Sequence, residues 1–393
     1  MFNDKHYVPI LKWKRAEHRA LRDFPDGSKG DITPLVEVVL PMVSRFKDKE
    51  QKIKKTDEEM LSEMVEKYKE RRIKEIPQEI SDFWGNNSVY LDFSLIHNGV
   101  ETTALKVESI SSVIPAASEL GLHVIPVVNL NDEIQIWNAA RLVCEKYKRG
   151  ICVRIGTFDI ARTDGLNEKI KTFLSAVGLT ATSVDLLVDI KAVQNGEEYG
   201  TLFNSSQQIN DIGKWRNFIF ASGAFPVDLS QCKLDDPTTL PRHDWLNWLK
   251  QTSKKVNRKP TYADYTIRTP LFDESLQFHH ATTSIKYTIA DGWYVMKGIK
   301  HGYSLFLANA KLLVESSGHF YGEGFSSGDK NILQKAKHYD AYIKDPSIKG
   351  TGRNEDWIAY GINHHLALVV SQISSLGKKV SLAPSREVIL GRK

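Results

Sequence analysis

Short apolar runs alternate along the chain with longer amphipathic ones. Eight of the short runs are strand-sized and bounded by turn residues: HYVPILKWK (6–14), ITPLVEVVL (32–40), SVYLDFSLI (88–96), HVIPVVNL (123–130), GICVRIG (150–156), VDLLVDIK (184–191), NFIFASGAF (217–225) and PTYADYTI (260–267). Most are continuously apolar, the pattern of strands covered on both faces, as in a parallel sheet. Helical periodicity fills the gaps. EIQIWNAARLVCEKYKR (133–149) gathers Ile134, Ile136, Trp137, Ala140, Leu142 and Val143 on one broad face, and DWLNWLKQTSKK (244–255) carries Trp245, Leu246, Trp248 and Leu249. LNEKIKTFLSAVGL (166–179) ends on Val177-Gly178, a C-cap pair. ALKVESISSVIPAASELGL (104–122) reads as helical towards its end, with Pro115 as its start or a kink.

Eight strand–helix units in about 270 residues predict an α/β fold, a (β/α)8 TIM-like barrel. An open doubly wound sheet obeys the same local rules, but no Gly-rich fingerprint follows the first strand. Residues 45–80 are dense in charge of both signs and read as a long solvated helix with i,i+4 pairs such as Glu63–Lys67 and Glu70–Lys74. After residue 270 the rhythm changes. TSIKYTIADGWYVMKG (283–298) is a hairpin around Asp291-Gly292, and YSLFLANAKLLVES (303–316) and NEDWIAYGINHHLALVVSQISSL (354–376) are helices. With no linker composition between them, 1–275 is expected to be the barrel and 276–393 a C-terminal α+β elaboration packed on it.

Composition narrows the classes. A formal charge of +5 permits phosphate or nucleic-acid binding without demanding it. Cys144, Cys152 and Cys232 form neither an even set nor a C-x-x-C pair, which argues against a disulfide scaffold or structural zinc. The opening MFNDKHYVPILKWKR lacks the order of a signal peptide, and no apolar run approaches a membrane span, so a cytoplasmic protein without a membrane partner is expected.

YVPILKWKRAEHRAL (7–21), ITPLVEVV (32–39), SIKYTIADGWYVMKG (284–298), FSSGDKNI (325–332) and GINHHLALVVSQI (361–373) together resemble the beta protein family of phages, mobile elements and defence loci. The resemblance covers nearly the whole chain. It implies a setting, phage–host conflict, and no reaction or catalytic residue.

In a parallel barrel, function collects where strands end and loops begin. The polar strand positions are Lys12 and Lys14 on the first strand, Glu37 on the second, Asp92 on the third, Asn129 on the fourth, Arg154 on the fifth, Asp189 and Lys191 on the sixth, Ser222 on the seventh, and Asp264 with Arg268 on the eighth. Charges are costly beside a parallel strand unless paired or solvated. Lys14, Glu37, Asp92, Arg154, Asp189 and Asp264 are expected to converge at one end of the barrel. Catalytic roles are left open, with Lys14, Glu37, Asp92 and Asp189 as the candidates. Lys12, Lys14, Arg154, Lys191, Arg268 and Asp264 are the candidate ligand-binding residues for a phosphorylated molecule or nucleic-acid end. Glu37, Asp92 and Asp189 either neutralise the cations or hold a magnesium ion against the phosphate. A Schiff-base role for a strand-one lysine needs a depressed pKa.

The other features are read structurally. His279-His280 and His364-His365 are adjacent pairs, whose side chains diverge by about 100° on a helix and cannot share a metal. FYGEGFSSGDKNI (320–332) is read as a helix N-cap formed by Ser327 or Asp329, in preference to a phosphate loop. SGAFPVDLS (222–230) offers small residues at a strand end where barrels bind phosphate, by fold analogy. The competing reading is a non-enzymatic sensor, or a scaffold for a phage or defence protein, whose rim charges only pair with one another.

Overall fold

The eight apolar runs form eight parallel strands. In this computed structural model, which describes residues 1–271 and 282–377 apart from positions 49, 98, 163, 194 and 235, they are β1 (Tyr7–Lys12), β2 (Leu35–Glu37), β3 (Val89–Asp92), β4 (Val124–Asn129), β5 (Ile151–Gly156), β6 (Val184–Ala192), β7 (Asn217–Gly223) and β8 (Thr261–Asp264). They close into one barrel in the order β1-β8-β7-β6-β5-β4-β3-β2. The seam pairs Tyr7 with Tyr262, Val8 with Ala263 and Pro9 with Asp264. The fold is therefore a (β/α)8 TIM-like barrel.

Alternation along each strand divides the residues into two cores. Val8, Ile10, Leu35, Tyr90, Ile125, Val127, Cys152, Leu187, Ile219, Ala221, Ala263 and Tyr265 pack together in the barrel interior. Their outward neighbours, such as Leu11, Val36, Leu91, Val128, Val153, Val188 and Phe220, meet the helical layer. At the N-terminal end of the barrel a polar plug closes the interior. Asp185 accepts from Arg216 Nε at 2.7 Å, Asn217 Nδ2 at 2.7 Å and the Tyr90 hydroxyl at 2.7 Å.

Two helical segments depart from the sequence reading. The helix Thr102–Glu119 continues through Pro115, which is therefore not its start. Its buried face, Leu105, Ile110, Val113 and Ile114, is worth roughly 1.5–3 kcal/mol per side chain, which outweighs the ~3 kcal/mol of an interior proline. The charged stretch 45–80 is not simply a solvated helix. A short hairpin, Phe46–Asp48 with Ile53–Lys54, precedes the helices Asp57–Lys67 and Ile73–Trp84, which are joined by a π-turn at Tyr68–Arg72. Met60, Met64, Tyr68, Ile73, Ile76, Ile80 and Trp84 are all buried. The five-residue step from Tyr68 to Ile73 falls on the π-turn, which resets the apolar face by one residue. The opposite face carries the Glu63–Lys67 pair as expected (2.7 Å), together with Arg72 bridging Glu75 and Glu79.

The hairpin at Asp291-Gly292 is formed by Ile285–Thr288 and Gly292–Met296. Its second strand, central in a three-stranded sheet, pairs with Thr238–Pro241, a segment that lies between β7 and β8 in the chain. The helices Tyr303–Glu315, Ser327–Lys344 and Asn354–Ser374 complete this part. The last of them lies against the first helix, Arg15–Arg22: Asn363 Nδ2 donates to the Ala20 carbonyl, and Arg19 pairs with Asp356.

Candidate functional site

At the C-terminal end of the barrel the inward positions turn from apolar to charged. Each charged residue stands two positions beyond an inward apolar one: Glu37 after Leu35, Asp92 after Tyr90, Arg154 after Cys152 and Asp189 after Leu187. The strand period of two therefore aims all four at one point. Arg154, 4% exposed, is the hub. Its Nη2 donates to Glu37 Oε1 at 2.9 Å and to Asp189 Oδ2 at 2.5 Å, its Nε donates to Asp189 Oδ2 at 3.0 Å, and its Nη1 donates to Asp92. The Tyr265 hydroxyl accepts from Arg154 Nη2 at 2.8 Å and donates to Asp189 Oδ2 at 2.6 Å.

Burial pushes Glu37 and Asp189 towards the neutral acid, but Lys191 and Arg154 outweigh it, and both carboxyls titrate below the usual range. Burial, reinforced by Asp189, lifts the Tyr265 phenol well above 10, so it keeps its proton. Asn129 belongs to the same layer: its Nδ2 donates to Ser94 Oγ at 2.6 Å, and Ser94 bonds to Asp92.

Above the hub stand lysines. Lys191 lies within a register shift in β6, between Asp189 and Ala192, and its backbone is left-handed at φ 56°. Such a conformation costs a non-glycine residue roughly 1–2 kcal/mol, and a bulge of this kind re-aims a side chain. Its Nζ lies 2.8 Å from the Tyr265 hydroxyl, 3.2 Å from Asp189 and 3.5 Å from Glu37. Lys12 ends β1, and its Nζ donates to the Thr269 carbonyl at 3.1 Å. Burial brings its amine down to about 8. Arg268 and Lys191 press in the same direction, against Glu37 and Glu17. Arg268 reaches the buried Glu17 carboxylate at 3.2 Å.

Exposure orders these charges. Glu37, Asp92 and Asp189 are sealed at 1% or less, whereas the side chains of Lys191 and Arg268 are 37% and 30% exposed. Solvent at the mouth meets cations; the carboxylates lie beneath the guanidinium.

Four of the six residues expected to converge meet at this hub: Glu37, Asp92, Arg154 and Asp189. Lys14 lies past the end of β1, as the N-cap of the first helix, with an extended backbone. Asp264 is one position out of phase with inward-facing Ala263 and Tyr265, so it points outward. There it accepts from the hydroxyls of Tyr7 at 2.5 Å and Tyr262 at 3.0 Å, and from the Thr266 amide at 3.0 Å. His365 Nε2 lies 2.9 Å away and Arg242 Nη2 3.7 Å away. This second polar layer joins β8 to the C-terminal helix. Burial and the Asp264 charge push the neighbouring Asp244 carboxyl upward.

Tyr265 was not a sequence candidate, because a strand tyrosine reads as apolar core. Lys286 was also missed. It arrives on the C-terminal sheet, its Nζ lies 4.3 Å from the centre of the Phe225 ring, and burial, with Arg268 nearby, lowers its amine to about 7.

His364 Nδ1 meets Asp329 at 2.8 Å and its Nε2 meets the Thr288 carbonyl at 2.8 Å, so the 364–365 pair joins the C-terminal helix to its neighbours on two sides. His279 and His280 lie outside the described residues. The N-cap in FYGEGFSSGDKNI is Ser326, not Ser327 or Asp329: Ser326 Oγ accepts from the Asp329 amide at 3.1 Å, which places Asp329 in the first turn. Ser222, at the end of β7, is buried. Among the described residues no group of three or more His, Cys, Asp or Glu side chains is arranged to hold a metal ion, and no helix is long and apolar enough to cross a membrane. At the hub the reason is visible, since the three carboxylates point their oxygens at Arg154.

The sequence model of the Beta protein family matches residues 7–371, which include the whole barrel and most of the C-terminal helix. No curated protein matches the chain.

Proposed function

This chain belongs to the Beta protein family, and we propose that its barrel mouth binds a small phosphorylated ligand through Lys12, Lys191 and Arg268. The observation that carries the reading is the order of exposure, with sealed carboxylates below and partly exposed cations above. Burial, with Arg268 and Lys191 facing it, depresses the Lys12 amine, and an anion between the three cations offsets their share of that penalty. Arg154 acts as a positioning residue. It holds Asp189 and Tyr265, which in turn hold Lys191. Because the carboxylates are engaged by the guanidinium, the proposal needs no magnesium ion. A nucleic-acid end presents the same phosphate chemistry and is a second source of it. Phage–host conflict in the cytoplasm is the setting we propose, on the family resemblance.

Charge-assisted hydrogen bonds contribute about 1.5–3 kcal/mol each, so loss of one lysine should weaken binding roughly ten- to hundredfold. Calorimetric titration with inorganic phosphate, pyrophosphate, nucleotides and short 5′-phosphorylated oligonucleotides, with and without magnesium, tests this. Saturable binding that weakens in Lys191→Met is expected. A flat titration across the whole series would rule the reading out in favour of a scaffold whose rim charges pair only with one another. The closure of Arg154 on its three carboxylates is the observation that favours that alternative.

A further inference from the structure

We propose that Lys12 is a nucleophile that forms an imine with an anionic aldehyde or ketone held at the barrel mouth. This rests on the anion-binding reading above and adds a covalent step to it. Lys12 is the last residue of β1, points into the barrel and is 9% exposed. Its Nζ donates to the Thr269 carbonyl at 3.1 Å, and Arg154 engages the three carboxylates. The Lys12 and Lys191 amines lie 6.0 and 5.1 Å from the centre of one ring, that of Tyr265, so a small ligand over that ring reaches both.

Burial and neighbouring cations are the two known ways of making a lysine nucleophilic near neutrality, and both act here. With its amine at about 8, about a quarter of Lys12 is neutral at pH 7.5, against roughly 0.1% for a lysine at its ordinary value.

The step balances with groups already in the mouth. The Lys12 nitrogen attacks the carbonyl carbon, and the C–O π pair moves onto oxygen. One proton from the attacking amine and one from the Lys191 ammonium convert that oxygen to water, which leaves. The iminium on Lys12 carries the positive charge that Lys191 gives up, and solvent reprotonates Lys191. The Tyr265 hydroxyl, 2.8 Å from Lys191 Nζ and bonded to Asp189, holds the proton donor in place. The ligand's anionic group stays with Arg268 and the re-formed Lys191 ammonium.

The test is reductive trapping. The full chain is incubated with dihydroxyacetone phosphate or pyruvate and sodium cyanoborohydride, then mapped by peptide mass spectrometry. A single adduct on Lys12 is expected, with a rate that rises to half its maximum near pH 8 and falls when inorganic phosphate competes. Lys12→Arg, which keeps the charge, and Lys12→Met should both remove the adduct, with folding checked by thermal melting. Lys191→Met should slow trapping about tenfold while leaving Lys12 the labelled residue. Label scattered over surface lysines, or none on Lys12, overturns the proposal. Calorimetry separates the two readings. Saturable binding of dihydroxyacetone phosphate without an adduct defeats the imine and leaves the anion site standing. Absence of both binding and adduct defeats both.

Discussion

Replacing Arg154 with methionine removes the one side chain that Glu37, Asp92 and Asp189 all face, and leaves three carboxylates, each no more than 1% exposed, inside the barrel. Deleting one partner of a buried ion pair costs about 3–5 kcal/mol, because the remaining charge is left uncompensated. Lys191 still lies near Glu37 and Asp189, which keeps the estimate within that range although three acids are involved. At about 2.1 cal/mol/K of unfolding entropy per residue, 3–5 kcal/mol corresponds to roughly 4–6 °C in the melting temperature of a chain this long. The loss depends on pH in a defined direction. In the parent protein the folded-state values of Glu37 and Asp189 are depressed, so their contribution is present above about pH 4.5 and disappears as pH falls through those depressed values. In the variant burial is opposed by Lys191 without Arg154 and the folded values rise, so the penalty is full at pH 8 and shrinks as pH falls towards 5. Thermal melts of both proteins at half-unit steps from pH 5 to 8 read this directly. Adding Asp92→Asn to Arg154→Met should recover part of the loss at pH 8, a non-additivity expected only of groups in contact. A deficit below ~1 kcal/mol, or one constant across the range, would show that the carboxylates are not an ionised set held by Arg154.

Sulfate, whose charge is constant between pH 6 and 9, should bind most tightly below pH 8 and lose affinity as Lys12 deprotonates through about 8; calorimetry showing no change across that value would remove Lys12 from the anion site. Asp264→Asn should cost about 3 kcal/mol, because His365 and Arg242 lose their buried charge partner, yet change sulfate affinity less than twofold because Asp264 faces away from the mouth; a larger change would mean that the two polar layers are coupled. Gly328→Ala should destabilise by roughly 1–3 kcal/mol or more, since its Cβ would fall 2.3 Å from the Tyr360 carbonyl oxygen in the neighbouring helix, and a melting curve like the parent's would contradict that close approach.

The barrel was legible because strands covered on both faces leave continuous apolar runs, and eight such runs separated by helices have few other ways to pack. The hub was legible for a narrower reason: Glu37, Asp92, Arg154 and Asp189 each continue the inward phase of an apolar neighbour. Asp264 shows what position along a strand cannot supply. It ends β8 as Asp92 ends β3, but the side chain facing the barrel axis is that of Tyr265, and only the pairing of Val8 with Ala263 fixes the phase. Lys286 reaches the mouth from the C-terminal sheet, through a contact with Phe225 that no local pattern encodes.

The strand Thr238–Pro241 pairs with a partner more than fifty residues later in the chain, Asp264 meets His365, and Arg242 Nη1 bonds to Gln372 at 2.9 Å. A growing polypeptide leaves the ribosome in sequence order. When β8 has emerged, the acid on its outer face and the arginine beside it still lack the groups that will surround them. The first helix likewise waits for Asn363. Final consolidation of the barrel is thus postponed until the helix Asn354–Ser374 has been made, so synthesis and folding are separated in time, and a chain cut short before that helix is left as a substrate for quality control.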